Sequence, residues 1–257
     1  MGTNLGLTPT PPDVFAQALY EESATKKHAL GTMRLTEDGR IFIYCKAGSS
    51  NLAAAHLCTY LTTFTSEDTV TVAHASGTTT VTVTASGVSA DDFADGYLFV
   101  DEGTGIGEIY RIKSNTATDG SGLIQVTLYD ELKTAWSTSD TDVTLVKNPY
   151  GGLVVNPVDA QQRPVVVTQR PVTANYYFWG LAKGIGTIKM DVASAAGQTK
   201  SEKLIYCSTN HAGQGMLIAN PDTSSSTDLV GRHVVGWIIE EADIGDDKAT
   251  LAFIDLL

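Results

Sequence analysis

Residues 96–115 read GYLFVDEGTGIGEIYRIKSN, placing Gly103, Gly105 and Gly107 at alternate positions directly after a run of β-forming residues. A glycine-rich loop after a strand can cradle a phosphate, but it must then open a helix whose first-turn N–H groups face the anion. Here the spacing is G-x-G-x-G rather than G-x-G-x-x-G, and the following EIYRIKSN has no helical stripe. A Gly-Lys-Ser/Thr phosphate loop is also absent from the chain. The glycines are therefore expected to supply positive φ in a turn between two paired strands. Such a turn points away from a nucleotide enzyme and toward an all-β protein.

The flanking sequence supports it. DTVTVAHASGTTTVTVTASG (68–87) alternates Val with Thr on both sides of ASG, which predicts a two-stranded ribbon with Val70, Val72, Val81 and Val83 on its inner face. HALGTMRLTEDGRIFIYCKAG (28–48) predicts a hairpin turning at Asp38-Gly39. Its second strand would carry Ile41, Ile43 and Cys45 on one face and Phe42, Tyr44 and Lys46 on the other. SGLIQVTLYDEL (121–132) and TDVTLVKNP (141–149) continue the idiom, and Asn148-Pro149 with Gly151-Gly152 marks a break. NLAAAHLCTYL (51–61) fits a helical turn or a buried strand equally. Strands recurring every 10–15 residues or so predict antiparallel β-sandwich or barrel sections.

The start of the chain differs. MGTNLGLTPTPP (1–12) has three prolines and no periodicity, so it is expected to be an extended arm. PPDVFAQALYEES (11–23) predicts one short helix, capped by Asp13, with Phe15 and Leu19 on one face. So short a helix must dock, either on its own β-domain or on a neighbouring subunit. The expected division is thus an arm (1–27), a β-rich domain (28–150) and a second β-rich section (151–257) that is separate or joined to it.

Composition narrows the partners. With 17 Lys+Arg against 29 Asp+Glu, the 257-residue chain carries a formal charge of −12. Its field repels nucleic acid and anionic lipid. No run approaches the ~20 apolar residues of a membrane span and no targeting segment is evident, so synthesis in a cytosol and no membrane partner are expected. Cys45, Cys58 and Cys207 form no C-x-x-C pair and are expected to be buried thiols.

Groups able to carry chemistry are scattered. Histidines 28, 56, 74, 211 and 233 have no second ligand at i+2 or i+4, and there is no G-x-S-x-G elbow. The acidic loops SADDFADGY (89–97) and ADIGDDKAT (242–250) lack EF-hand spacing. They are expected to be solvated turns, with calcium ligation as the alternative. No catalytic, cofactor or metal site is expected. An enzymatic reading, a depolymerase with Asp95 and Asp243 converging in a groove, would require turnover to depend on them. The aromatic strand NYYFWG (175–180) points Tyr176 and Phe178 one way and Tyr177 and Trp179 the other, so both faces need cover, from the chain itself or from another subunit. Candidate partner-contact residues are Phe15, Leu19 and Tyr20 with Tyr177 and Trp179.

Several blocks, 28–57, 96–115, VTLVKNPYGGLVV (143–155), NYYFWGLAKG (175–184) and VGRHVVGWIIEEADIGDDKATLAFIDLL (230–257), resemble segments of tailed-bacteriophage virion structural proteins, most nearly head decoration or cement proteins. The resemblance implies a β-rich, commonly trimeric protein on the outer capsid surface that stabilises the shell by bridging major capsid subunits. An acidic surface and a leading arm suit that role. The rival from a different class is a tail-associated or fibre-type protein recognising host glycans through exposed aromatics.

Overall fold

In a computed structural model, the structure describes residues 16–60, 70–158, 163–191, 204–208, 210–217, 233–239 and 248–257, and the backbone of 64–67. These residues are all-β and contain no helix. Every pairing between strands is antiparallel. The chain forms two compact units, one made of residues 1–61 and 150–257, the other of 62–149.

In chain order the strands are β1 (Met33–Leu35), β2 (Ile41–Lys46), β3 (Leu57–Thr59), β4 (Phe64–Glu67), β5 (Thr80–Thr84), β6 (Tyr97–Glu102), β7 (Ile109–Asn115) and β8 (Leu123–Leu128). They continue with β9 (Asp142–Val146), β10 (Val154–Val155), β11 (Val166–Val167), β12 (Tyr177–Lys189), β13 (Leu204–Cys207), β14 (Gly215–Leu217), β15 (Val234–Ile238) and β16 (Ala249–Asp255). The 62–149 unit is a six-stranded sheet ordered β4-β9-β6-β7-β8-β5. The other unit orders its strands β10-β3-β11-β12-β16-β15-β13-β14, with β2 pairing both β12 and β1.

Residues 28–61 therefore group with 150–257 rather than with the residues that follow them. The cause is β2, which lies along β12 from Tyr177↔Lys46 to Lys183↔Ile41. The break at 148–152 falls where the chain returns to this unit. β12 organises it, since Leu181 pairs with Phe42 on one edge and Val167 on the other, and Lys183 pairs with Ile41 and Asp255.

Alternation along β2 and β12 feeds two cores. Phe42, Tyr44, Trp179 and Leu181 enter one with Ile254 and Val235. Ile43, Cys45 and Phe178 enter the other with Leu153 and Val166. Both strands are thus covered on two faces, as their apolar content demands. Cys45, Cys58 and Cys207 are free and buried, and burial pushes their thiols up, to about 12 for Cys58 and about 11 for Cys207.

The 62–149 unit has one core, in which Val81, Val83, Leu98, Val100, Ile112, Ile124, Val126, Val143 and Leu145 meet. The Val/Thr ribbon requires correction. Val70, Val81 and Val83 are buried, but Val72 is exposed and residues 70–75 form no strand. Instead β5 pairs along its length with β8. Beside β5 the His74 ring does what a neighbouring strand would do, its Nε2 accepting the Thr82 N–H at 3.0 Å. A side chain that satisfies the edge removes the need for a second strand there.

The glycine loop is a turn joining β6 to β7, with Gly103, Gly105 and Gly107 at φ +76°, +95° and +86°. A Cβ on Gly103 would lie 1.6 Å from the Asp140 carbonyl oxygen. Thr104 Oγ1 donates to Asp140 Oδ2 at 2.7 Å, and Thr141 Oγ1 to the Thr104 carbonyl at 3.3 Å. The loop is thus spent on the adjoining 137–141 segment.

Candidate interaction surfaces

Of the five residues singled out in sequence, Phe15 lies outside the described residues, as does the start of the expected helix and the arm before it. Residues 16–22 form bends and a turn, and Ser23 bridges to Tyr177. Gln17, buried at 1% exposure, fixes this segment: its Nε2 donates to the carbonyls of Glu21 (2.7 Å) and Tyr177 (3.0 Å), and its Oε1 accepts from Tyr44 Oη at 2.8 Å. The Gln17 carbonyl accepts from Trp179 Nε1 and Arg34 Nη1.

Around it sits an aromatic cluster. Tyr44 stacks on Tyr177 with centroids 5.9 Å apart, Trp179 packs edge-on to Tyr44 at 5.0 Å, and His28 lies against both Tyr44 and Trp179. Burial, with the nearby Arg34 charge, lowers the pKa of His28, while burial chiefly raises that of Tyr44. Trp179 is 4% exposed, Leu19 and Tyr177 are partly buried against the core, and Tyr20 is 47% exposed. Tyr20 Oη also accepts from Arg40 Nη1 at 2.9 Å. Of the four described residues, Tyr20 alone keeps about half its surface open. Next to the cluster a cleft of about 220 Å³ runs between residues 19–22 and 169–172. Its rim is pinned by Arg170 Nη1 donating to the Tyr20 carbonyl, and by Glu22 accepting from Thr173 just beyond.

The acidic loop 89–97 is internally satisfied. Asp91 and Asp95 take positive φ, which Asp tolerates better than most residues. Asp95 is buried and pairs with Arg111 Nη2 at 3.3 Å, while Asp92 accepts from the Ser89 N–H and pairs with Lys147. The second acidic loop, with Asp243, Asp246 and Asp247, lies outside the described residues. Among the described residues no three His, Cys, Asp or Glu gather where a metal could sit.

One cluster had no signal in the sequence. Asp191, fully buried, accepts from Ser208 Oγ and pairs with His211 Nδ1 at 3.1 Å. The carboxylate stands between serine and imidazole, so the imidazole is not placed as the serine's base. Ser208 Oγ also accepts the N–H groups of Asn210 and His211, which makes the arrangement a loop clasp. Glu108 likewise accepts from Tyr110 and Thr134 hydroxyls. Burial raises its pKa, but those bonds more than offset it and leave it below the ordinary value.

Large apolar and aromatic side chains are among those left open to solvent. On the 62–149 unit, Tyr97 pairs across to Arg111, whose guanidinium lies 4.9 Å from the Tyr129 ring centroid. Ile106 and Ile109 beside them are 68% and 63% exposed. On the other unit, the outward side chains of β12, β16, β15 and β13 fall in one row, because the registers Ile185↔Phe253, Trp237↔Phe253 and Leu204↔Trp237 align them. Trp237 and Phe253 stack at 4.2 Å and 7°.

No family model, curated protein or solved structure matches this chain.

Proposed function

We propose that the chain is a structural protein of a tailed-bacteriophage virion that decorates the outside of the capsid and stabilises it by bridging major capsid subunits. The observation that carries this reading is where the chemistry goes. The described polar clusters at Asp95, Glu108, Asp191 and Gln17 are consumed in holding loops. Both sheets meanwhile keep large apolar side chains on their outer faces. Surfaces of that kind serve contact, and repetition over a shell turns many modest contacts into stable attachment. The sequence resemblance supports the virion assignment, and the charge of −12 suits the outer rather than the DNA-facing side of the shell.

The test is co-sedimentation of purified full-length protein with expanded capsids that lack it. Saturable binding is expected, and absence of binding at micromolar protein would overturn the reading. A tail-associated glycan-binding role is the second reading. It is favoured by the Tyr97, Arg111 and Tyr129 group, since aromatic faces beside a guanidinium suit sugar rings. Saturable binding on a glycan array, lost on Tyr129→Ala, would move the assignment there.

A further inference from the structure

We infer that the outer face carrying Ile185, Leu204, Val234, Trp237, Ile239 and Phe253 is covered by the same face of a second copy of this chain, related by a two-fold axis. This goes beyond the proposed function, which names no second copy of the chain.

Three observations carry it. The first is area: at roughly 150–250 Å² for a large side chain, exposures of 41–49% for Ile185, Leu204, Val234, Trp237 and Ile239 give about 340–570 Å² in total. That is the size of the largest apolar patch a monomer carries, about 300–600 Å² and often functional. It also matches the apolar share, about 65% of some 800 Å² per partner, of a homodimer contact. The second is charge. Two acidic copies repel, yet the row from Leu204 to Ile185 contains no charge, and the Lys183–Asp255 pair beside it is already neutralised at 2.9 Å. A face of this composition meets its own copy without burying an unpaired ion. The third is preorganisation, because the stacked Trp237 and Phe253 rings stand side by side on paired strands and lose little freedom on contact. The exposed group on the 62–149 unit carries Arg111 among its aromatics, so an uncharged row is matched better by another such row.

The test is sedimentation velocity of the full chain across a concentration series, for wild type and Ile185→Glu, with thermal melts of both. A wild-type dimer that Ile185→Glu converts to a folded monomer is expected. A second reading uses wild type alone: Trp136 and Trp179 are buried, so acrylamide quenching reports Trp237 and should fall as concentration rises. A wild-type monomer, a trimer, or a dimer unaffected by Ile185→Glu with concentration-independent quenching would overturn the inference. A dimer that fails to bind capsids would sink the virion reading while leaving this one standing. Capsid binding by a wild-type monomer would do the reverse.

Discussion

Replacing Gly103 with alanine should cost far more than the same change at Gly107, four residues along the same loop. Both occupy left-handed backbone, at φ +76° and +86°, so each alanine costs about 1–2 kcal/mol from conformation alone. They differ in what a new Cβ meets. At Gly107 nothing lies within 4 Å, whereas at Gly103 the Asp140 carbonyl oxygen would be 1.6 Å away. The 137–141 segment must therefore retreat, losing the Thr104–Asp140 and Thr141–Thr104 hydrogen bonds. At about 1 kcal/mol net for each bond, Gly103→Ala should lose about 3–4 kcal/mol, against about 1–2 kcal/mol for Gly107→Ala. Urea unfolding monitored by far-UV circular dichroism measures both, using the midpoint at unchanged slope. Gly107→Asn should be milder still, since Asn visits left-handed backbone readily. Equal losses at Gly103 and Gly107 would refute the close approach on which the turn reading rests.

Further outcomes follow from the buried groups. Cys58 is held neutral to about 12 against an ordinary value of 9.0, so above pH 9 the unfolded chain gives up a proton that the fold retains. Stability should fall by about 1.4 kcal/mol per pH unit for this thiol as pH rises toward 12, with no contribution below 9. Denaturant midpoints from pH 8 to 10.5 should slope less in Cys58→Ala than in wild type, and identical slopes would contradict the assignment. Gln17→Ala removes three hydrogen bonds that fix residues 16–23. It should weaken local closure by about 2–4 kcal/mol and speed tryptic cleavage at Lys26 and Lys27, and unchanged cleavage would show that the segment is held by other means.

Alternation made the strands legible wherever one face is wet, as in β5, β7 and β8, and the two-faced aromatic strand at 175–180 correctly demanded cover on both sides. What escaped depended on partners far along the chain. Nothing local in 68–75 shows that His74 will satisfy Thr82 and take the place of the second ribbon strand. Periodicity likewise does not encode that β2 pairs with β12 rather than with a neighbour in sequence, so the grouping of 28–61 with 150–257 emerges only from register. The Asp191, Ser208 and His211 clasp joins loops whose spacing matches no motif. The exposed row was hidden for a related reason. Residues 234–239 are apolar at every position except Gly236, so the segment reads as buried on both faces, and only the pairing with β13 and β16 shows that Trp237 points outward. Among the proposed contact residues, the tightly buried Trp179 shows the ambiguity of aromatics, which serve cores and interfaces with the same chemistry.

We propose a protein that acts through its outer β-surfaces at the capsid exterior. Electron cryo-microscopy of the assembled phage particle tests that most directly. Density matching the two β units on the outer face of the head, in contact with major capsid subunits, is the predicted result. Their location at the tail tip, or their absence from the particle, would contradict it.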